Sequence, residues 1–220
     1  KDPTETGVNG VTVLLKDAAG NVLQTAVTTN SPTTGAPGFY NFTVDPGSYI
    51  VMVMAPTGTT ISPNGPVNPT TGNTSPITVT SGSTNTTTDA GLYQAASIGN
   101  YVWEDADKDG IQDGTELGVN GVTVQLKNAV GTILQTTTTS TNPTTGLAGY
   151  YQFSNLVPGD YIVTFVTPLN YKVTSANTTG DALDSDIDAV TGNSPLTNLV
   201  SGESDQTVDA GIYRQGSIGD

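Results

Sequence analysis

Twelve consecutive residues, Asp105-Ala106-Asp107-Lys108-Asp109-Gly110-Ile111-Gln112-Asp113-Gly114-Thr115-Glu116, carry acids at positions 1, 3, 5, 9 and 12 and glycine at position 6. That is the ligand spacing of an EF-hand-type calcium loop. Alternate residues turn hard oxygen donors inward, the glycine permits the sharp turn, position 7 lends a backbone carbonyl, and the final glutamate closes the shell with two oxygens. The spacing predicts Ca2+ held by Asp105, Asp107, Asp109, Asp113 and Glu116 with the carbonyl of Ile111. The competing reading is a solvated acidic turn, which the ligand register of all five acids disfavours.

A second acidic run supplies Asp181, Asp184, Asp186 and Asp188. It is expected to close the first site from across the fold or to hold its own ion; the alternative is a solvated loop. Catalytic readings are weak. The chain has no His and no Cys, and no nucleophile-elbow motif. Paired carboxylates can cleave glycosides, but there they face each other across a cleft instead of following calcium spacing. The expectation is a protein that is not an enzyme.

The elements that position these loops come in two copies. Gly7-Val8-Asn9-Gly10-Val11-Thr12-Val13 recurs as Gly118-Val119-Asn120-Gly121-Val122-Thr123-Val124, and Asp89-Ala90-Gly91-Leu92-Tyr93 as Asp209-Ala210-Gly211-Ile212-Tyr213. The offset grows from 111 to 120, so the second copy holds nine more residues, most of them between Tyr171 and Gly192. Both acidic loops therefore belong to the second copy. The first copy begins beyond the position of the opening strand and most of the first loop. A third start follows at Ser217-Ile218-Gly219-Asp220.

No window keeps a helical period. Val122, Val124 and Leu126 alternate with Thr123, Gln125 and Lys127, Tyr151 and Phe153 with Tyr150 and Gln152, and Tyr161, Val163 and Phe165 share one face. This is strand patterning. With Ser97 to Glu104 as an opening strand and Thr207 to Tyr213 as a closing one, it predicts an all-β fold: two tandem immunoglobulin-like β-sandwiches of about seven strands. The expected boundaries are 1–96, 97–216 and 217–220. The last is the start of a third repeat or a strand for a neighbouring subunit. Tyr40, Phe42, Tyr49, Tyr151, Phe153 and Tyr161 take core positions, and Trp103 a core or loop-covering one.

The net charge of −14 arises from 20 acidic and 6 basic residues among 220. Residues 1–96 hold five acids and two bases, and residues 97–220 hold fifteen and four. No cationic face exists to neutralise phosphates, so nucleic-acid partners are excluded. No apolar run is long enough for direct membrane insertion. The acidic excess repels itself unless cations neutralise it.

Ser97-Ile98-Gly99-Asn100-Tyr101-Val102-Trp103-Glu104-Asp105, Asp107-Lys108-Asp109-Gly110, Leu183-Asp184-Ser185-Asp186 and Asp209-Ala210-Gly211-Ile212-Tyr213 together resemble the B-type repeats of bacterial serine-aspartate-repeat adhesins, within the broader Cna-B-like (prealbumin-like) group. The resemblance covers residues 97–213 and extends more weakly over 7–93. It implies an immunoglobulin-like sandwich, more than one calcium per module, a secreted or cell-surface location, and tandem modules that hold an adhesive head away from the cell. Cna-B-like domains sometimes carry a lysine isopeptide bond. Lys16 with Asp89 and Lys127 with Asp209 are the candidates, but Lys127 lies on the strand face opposite Val122, Val124 and Leu126.

The expected function is a calcium-rigidified spacer, stalk or fibre segment of a bacterial surface adhesin, with neighbouring repeats of the same chain as partners. Two alternatives stand beside it. One is a module that binds a host protein or glycan through loops 30–37 and 140–148. The other is a self-assembling filament subunit that exchanges strands.

Overall fold

The computed structural model describes residues 5–176 and 183–219. The chain divides into two compact units, Lys1–Gln94 and Ala95–Asp220. Both are all-β, of immunoglobulin-like sandwich architecture, and no helix occurs among the described residues.

The first unit contains β1 (Thr12–Asp17), β2 (Val22–Val27), β3 (Gly47–Met54), β4 (Thr60–Ile61), β5 (Ile77–Val79) and β6 (Leu92–Tyr93). One sheet has the order β2-β1-β3-β5, and β4 pairs β6 opposite it. The β1–β3 register sets Val13 against Val53 and Leu15 against Val51, so alternate residues face one side. These four, with Val11, Ile61 and Val67, form the buried core. Tyr40, Phe42 and Val44 lie against it only partly buried, in a segment outside any strand.

The second unit contains β7 (Ala96–Glu104), β8 (Thr123–Asn128), β9 (Ile133–Thr138), β10 (Tyr150–Leu156), β11 (Gly159–Val166), β12 (Tyr171–Val173), β13 (Thr197–Leu199), β14 (Ser204–Asp205) and β15 (Ala210–Arg214). The sheet β13-β11-β8-β9 faces the sheet β10-β7-β15-β12, in which β14 also pairs β7. β7 runs antiparallel to β10 and parallel to β15. The expected alternation holds: Val122, Val124, Leu126, Tyr151, Phe153, Tyr161, Val163 and Phe165 are buried. Tyr151 and Phe165 meet edge to face with ring centres 5.2 Å apart. The Tyr151 hydroxyl donates to the Val208 carbonyl at 2.6 Å, so this polar tip is satisfied inside the core.

The described strands number six and nine, where the sequence suggested about seven in each unit. The difference has local causes. Residues 39–44 match β10 in sequence but form only a single bridge, Phe39 with Thr29, whereas β10 pairs β7. The closing strand starts at Ala210 instead of Thr207. In the second unit the inserted segment adds pairings of its own. Thr174 and Ser62 occupy equivalent places, each donating its N–H to the glycine carbonyl of the closing strand, Gly211 or Gly91. Asp188 and Asn68 are likewise equivalent, so the insertion falls between Thr174 and Asp188.

Candidate metal centre

β7 carries the first loop at its C-terminal end. The Asp105 N–H donates to the Ile212 carbonyl of β15 at 2.9 Å, which anchors the loop base to the core. The Asp105 carboxylate is fully buried. Its Oδ1 accepts from the N–H groups of Lys108 (2.6 Å) and Asp109 (3.2 Å), and its Oδ2 from Gly110 (3.0 Å). The chain curls around that carboxylate through two left-handed residues, Lys108 (φ 64°) and Gly110 (φ 82°). Glycine takes this conformation without steric cost, whereas lysine is held there by the loop.

Asp107 Oδ1 accepts from Asp109 N–H at 3.3 Å, and Asp109 Oδ1 from Ile111 N–H at 2.8 Å. Ligand oxygens of Asp105, Asp107 and Asp109 lie within 4.8 Å of one another. Asp113 and Glu116 are outside this group. Glu116 ties the loop ends together: Oε1 accepts from Ala106 N–H at 2.7 Å and Oε2 from Asp113 N–H at 3.0 Å. Ile111 bridges Asp184, yet the bonds of that bridge use the Gly110 carbonyl and the Gln112 N–H. The Ile111 carbonyl is not among them.

The second acidic run divides. Asp181 lies outside the described residues. Leu183 to Asp186 is stitched between the first loop and β15. Gln112 N–H donates to Leu183 O at 2.7 Å, Ser185 N–H to Gly110 O at 3.1 Å, and Asp186 N–H to Asp209 O at 3.0 Å. Asp184 and Asp186 are buried. Asp188 is exposed and caps its own turn: Oδ1 accepts from Val190 N–H (3.1 Å) and Thr191 N–H (2.7 Å). Those bonds hold the Asp188 carboxyl below its ordinary pKa. Asn68 caps the matching turn of the first unit, accepting from Thr70 and Thr71 N–H at 3.0 Å each.

One acid escaped the sequence reading, which weighed it only as an isopeptide partner. Asp209, at the entry to β15, is fully buried beside Asp186 and Asp184. Its N–H donates to Asp186 Oδ2 at 2.7 Å, and its Oδ2 accepts from Asn100 Nδ2 at 3.4 Å. Its Oδ1 has no hydrogen-bond partner among the described residues. Burial first, and then the Asp186 charge, push its carboxyl pKa up to about 8. Asp89 holds the same place in the sequence repeat, so residue type gave no signal; the inserted Leu183–Asp186 segment and Asn100 of β7 make the environment of Asp209 different. The Lys16 amine donates to Met52 Sδ (2.9 Å) and Asn73 Oδ1 (3.3 Å), not to Asp89.

The loop is also braced against the end of β15. Arg214 donates to both oxygens of Glu104, from Nε at 2.8 Å and Nη2 at 2.9 Å, and its guanidinium lies 5.5 Å from the Tyr171 ring centre. The Lys108 amine sits 5.1 Å from the centre of the Tyr213 ring. Trp103 is fully buried, with its ring and Thr174 both pressed against Gly211.

The oxygen-only donor set fits a hard cation such as Ca2+. The model of the SdrD B-like domain matches residues 1–92 and again 96–212. The chain belongs to the SdrD B-like domain family. It is 39% identical over 220 residues to serine-aspartate repeat-containing protein D of Staphylococcus aureus (strain Newman), covering 97% of this chain and 15% of that protein. It is 38% identical over 187 residues to serine-aspartate repeat-containing protein F of Staphylococcus epidermidis (strain ATCC 12228 / FDA PCI 1200), covering 82% of this chain and 11% of that protein. The SdrD B-like chain thus spans a small fraction of these relatives. Among solved structures, the shaft pilin SpaA of Lactobacillus rhamnosus GG matches 96% of this chain and 90% of its own, with a TM-score of 0.34 at 10% identity.

Proposed function

We propose that these SdrD B-like units are non-enzymatic spacer modules of a bacterial surface adhesin, the second of them rigidified by Ca2+. The observation that carries this reading is the convergence of Asp105, Asp107 and Asp109 oxygens within 4.8 Å at the end of a core strand. In this reading the Ile111 carbonyl, Asp113 and Glu116 complete the first shell. Glu116 then exchanges its two backbone partners for the ion. Asp184, Asp186 and Asp209 form a second, buried acidic group that a further cation neutralises. Asp188 serves its turn.

The mechanism is linkage. Calcium supplies charge neutralisation to a loop that exists only in the folded unit, so it stabilises that unit and stiffens the strand ends it joins. At free calcium a hundredfold above Kd the gain is about 2.7 kcal/mol. The location that follows is extracellular, with neighbouring repeats as partners in the same chain.

Calorimetry with and without chelator tests the proposal. Trp103 is the chain's only tryptophan, so its fluorescence reports the second unit alone. Chelation is expected to lower the second unit's transition and leave the first in place. A tryptophan-detected melt that ignores chelator overturns it.

A further inference from the structure

Beside the metal loop, the second unit has a cleft of about 180 Å3 with no charged lining residue, although the chain carries a net charge of −14. Four elements build it. β7 gives Asn100 and Tyr101, the metal loop gives Gln112, the 140–148 loop gives Asn142 and Leu147, and β10 gives Tyr150. Tyr101 and Tyr150 are directly paired across β7 and β10, which places their side chains next to each other on the outer face of the sheet. Both are partly exposed, whereas Tyr151 and Phe153 fill the core.

The walls are fixed before any ligand arrives. Asn142 Oδ1 accepts from Thr144 N–H at 2.8 Å and Thr145 N–H at 3.2 Å, and Asn142 N–H donates to Leu147 O at 2.7 Å. The Tyr150 hydroxyl donates to Gln152 Oε1. Gln112 is pinned by its backbone bond to Leu183 at 2.7 Å. The described residues of the first unit offer no equivalent. Ser31, Ala36 and Phe39 stand where Asn142, Leu147 and Tyr150 stand, and no described residue matches Tyr101 or Gln112.

We propose that this cleft is a subsite for one ring of a neutral saccharide. Paired tyrosines present apolar faces to sugar C–H groups, the Gln112 amide exchanges hydrogen bonds with hydroxyls, and the uncharged lining disfavours ionic ligands. The cleft holds about one pyranose, so binding of a single sugar is expected at about millimolar Kd. This goes beyond the spacer reading and does not depend on it.

The test is saturation-transfer NMR on the whole chain in calcium buffer, with the methyl glycosides of glucose, galactose, mannose and N-acetylglucosamine as probes. Transfer to at least one is expected, reduced several-fold by Tyr150→Ala and by Gln112→Ala. Gln112 is neither core nor a proposed metal ligand, so its variant stays folded, which the tryptophan-detected melt checks. Absence of transfer from all four probes overturns the proposal, as does transfer that survives both variants.

Discussion

Asp105 and Asp107 sit two residues apart and are expected to fail differently. Asp105 is buried and accepts three backbone N–H bonds, so Asp105→Ala strands those donors even without metal. The expected cost in chelator is about 1–3 kcal/mol. Asp107 is exposed, and Asp107→Asn keeps its hydrogen-bonding oxygen. In chelator that variant is expected to match the parent within about 0.5 kcal/mol, while losing much of the calcium-induced gain. Urea titrations of Trp103 fluorescence with and without chelator separate the two. Equal behaviour of both variants in chelator contradicts the assignment.

Asp209 gives a pH signature at the same scale. Its pKa in the folded protein is about 8, above the ordinary carboxylate value, because it is buried beside Asp186 and Asp184. Between those two pKa values the unfolded chain has released a proton that the folded chain retains. The contribution of this group to stability in chelator is therefore greatest below the ordinary carboxylate pKa and declines as pH rises toward 8, by at most about 1.4 kcal/mol per pH unit. Asp209→Asn is expected to remove that decline. Denaturant titrations across pH 5 to pH 8 measure it, and a parent slope unchanged in the variant sinks the assignment. Legibility divides at this residue. The Asp105–Glu116 loop stands out in the sequence because its acids lie in one consecutive run, and the structure brings the oxygens of three of them, Asp105, Asp107 and Asp109, together. Asp209 does not stand out, because the residues that surround it, Asp186 and Asn100, lie far from it in sequence. Asp188, a candidate ligand by sequence, caps its own turn in the structure, and a turn cap and a ligand look alike in sequence.

At the scale of strands, alternation identified which residues face the core but not which strands run side by side. The parallel neighbours β7 and β15 show why this matters. Their pairing places Gly211 opposite Trp103, where a Cβ would lie 2.5 Å from Thr174 Cγ2 and 2.9 Å from Trp103 Cζ2. The equivalent Gly91 meets only the Ser62 side chain, at 3.1 Å. The repeat makes the two glycines look interchangeable; packing does not. Gly211→Ala is expected to destabilise the second unit by about 1–3 kcal/mol, and Gly91→Ala to cost the first unit less. Calorimetry on both variants decides this, and an equal or reversed ranking counts against the packing described. Arg214, on the same strand, makes a largely exposed ion pair with Glu104. Such pairs contribute little stability, so its role lies in holding the strand end against the loop.

At the scale of the whole chain, charge distinguishes two units that share one fold pattern. Residues 97–220 hold fifteen acids and four bases, against five and two in residues 1–96. Within the second unit several acids converge on one end of β7 and the start of β15, so their repulsion opposes folding in the absence of cations. Monovalent salt relieves repulsion between exposed charges over a Debye length, but it does not coordinate. Raising sodium chloride from about 0.05 to about 0.5 M in chelator is therefore expected to raise the second unit's melting temperature. In saturating calcium the bound ions already offset the repulsion, so the same change has little effect. The first unit, with its small net charge, responds weakly in both conditions. If the second unit's melting temperature in chelator is insensitive to salt, the acidic groups do not repel as their placement requires. If salt alone restores the full calcium effect, screening and not coordination accounts for the stabilisation, and the loop is then only an acidic turn.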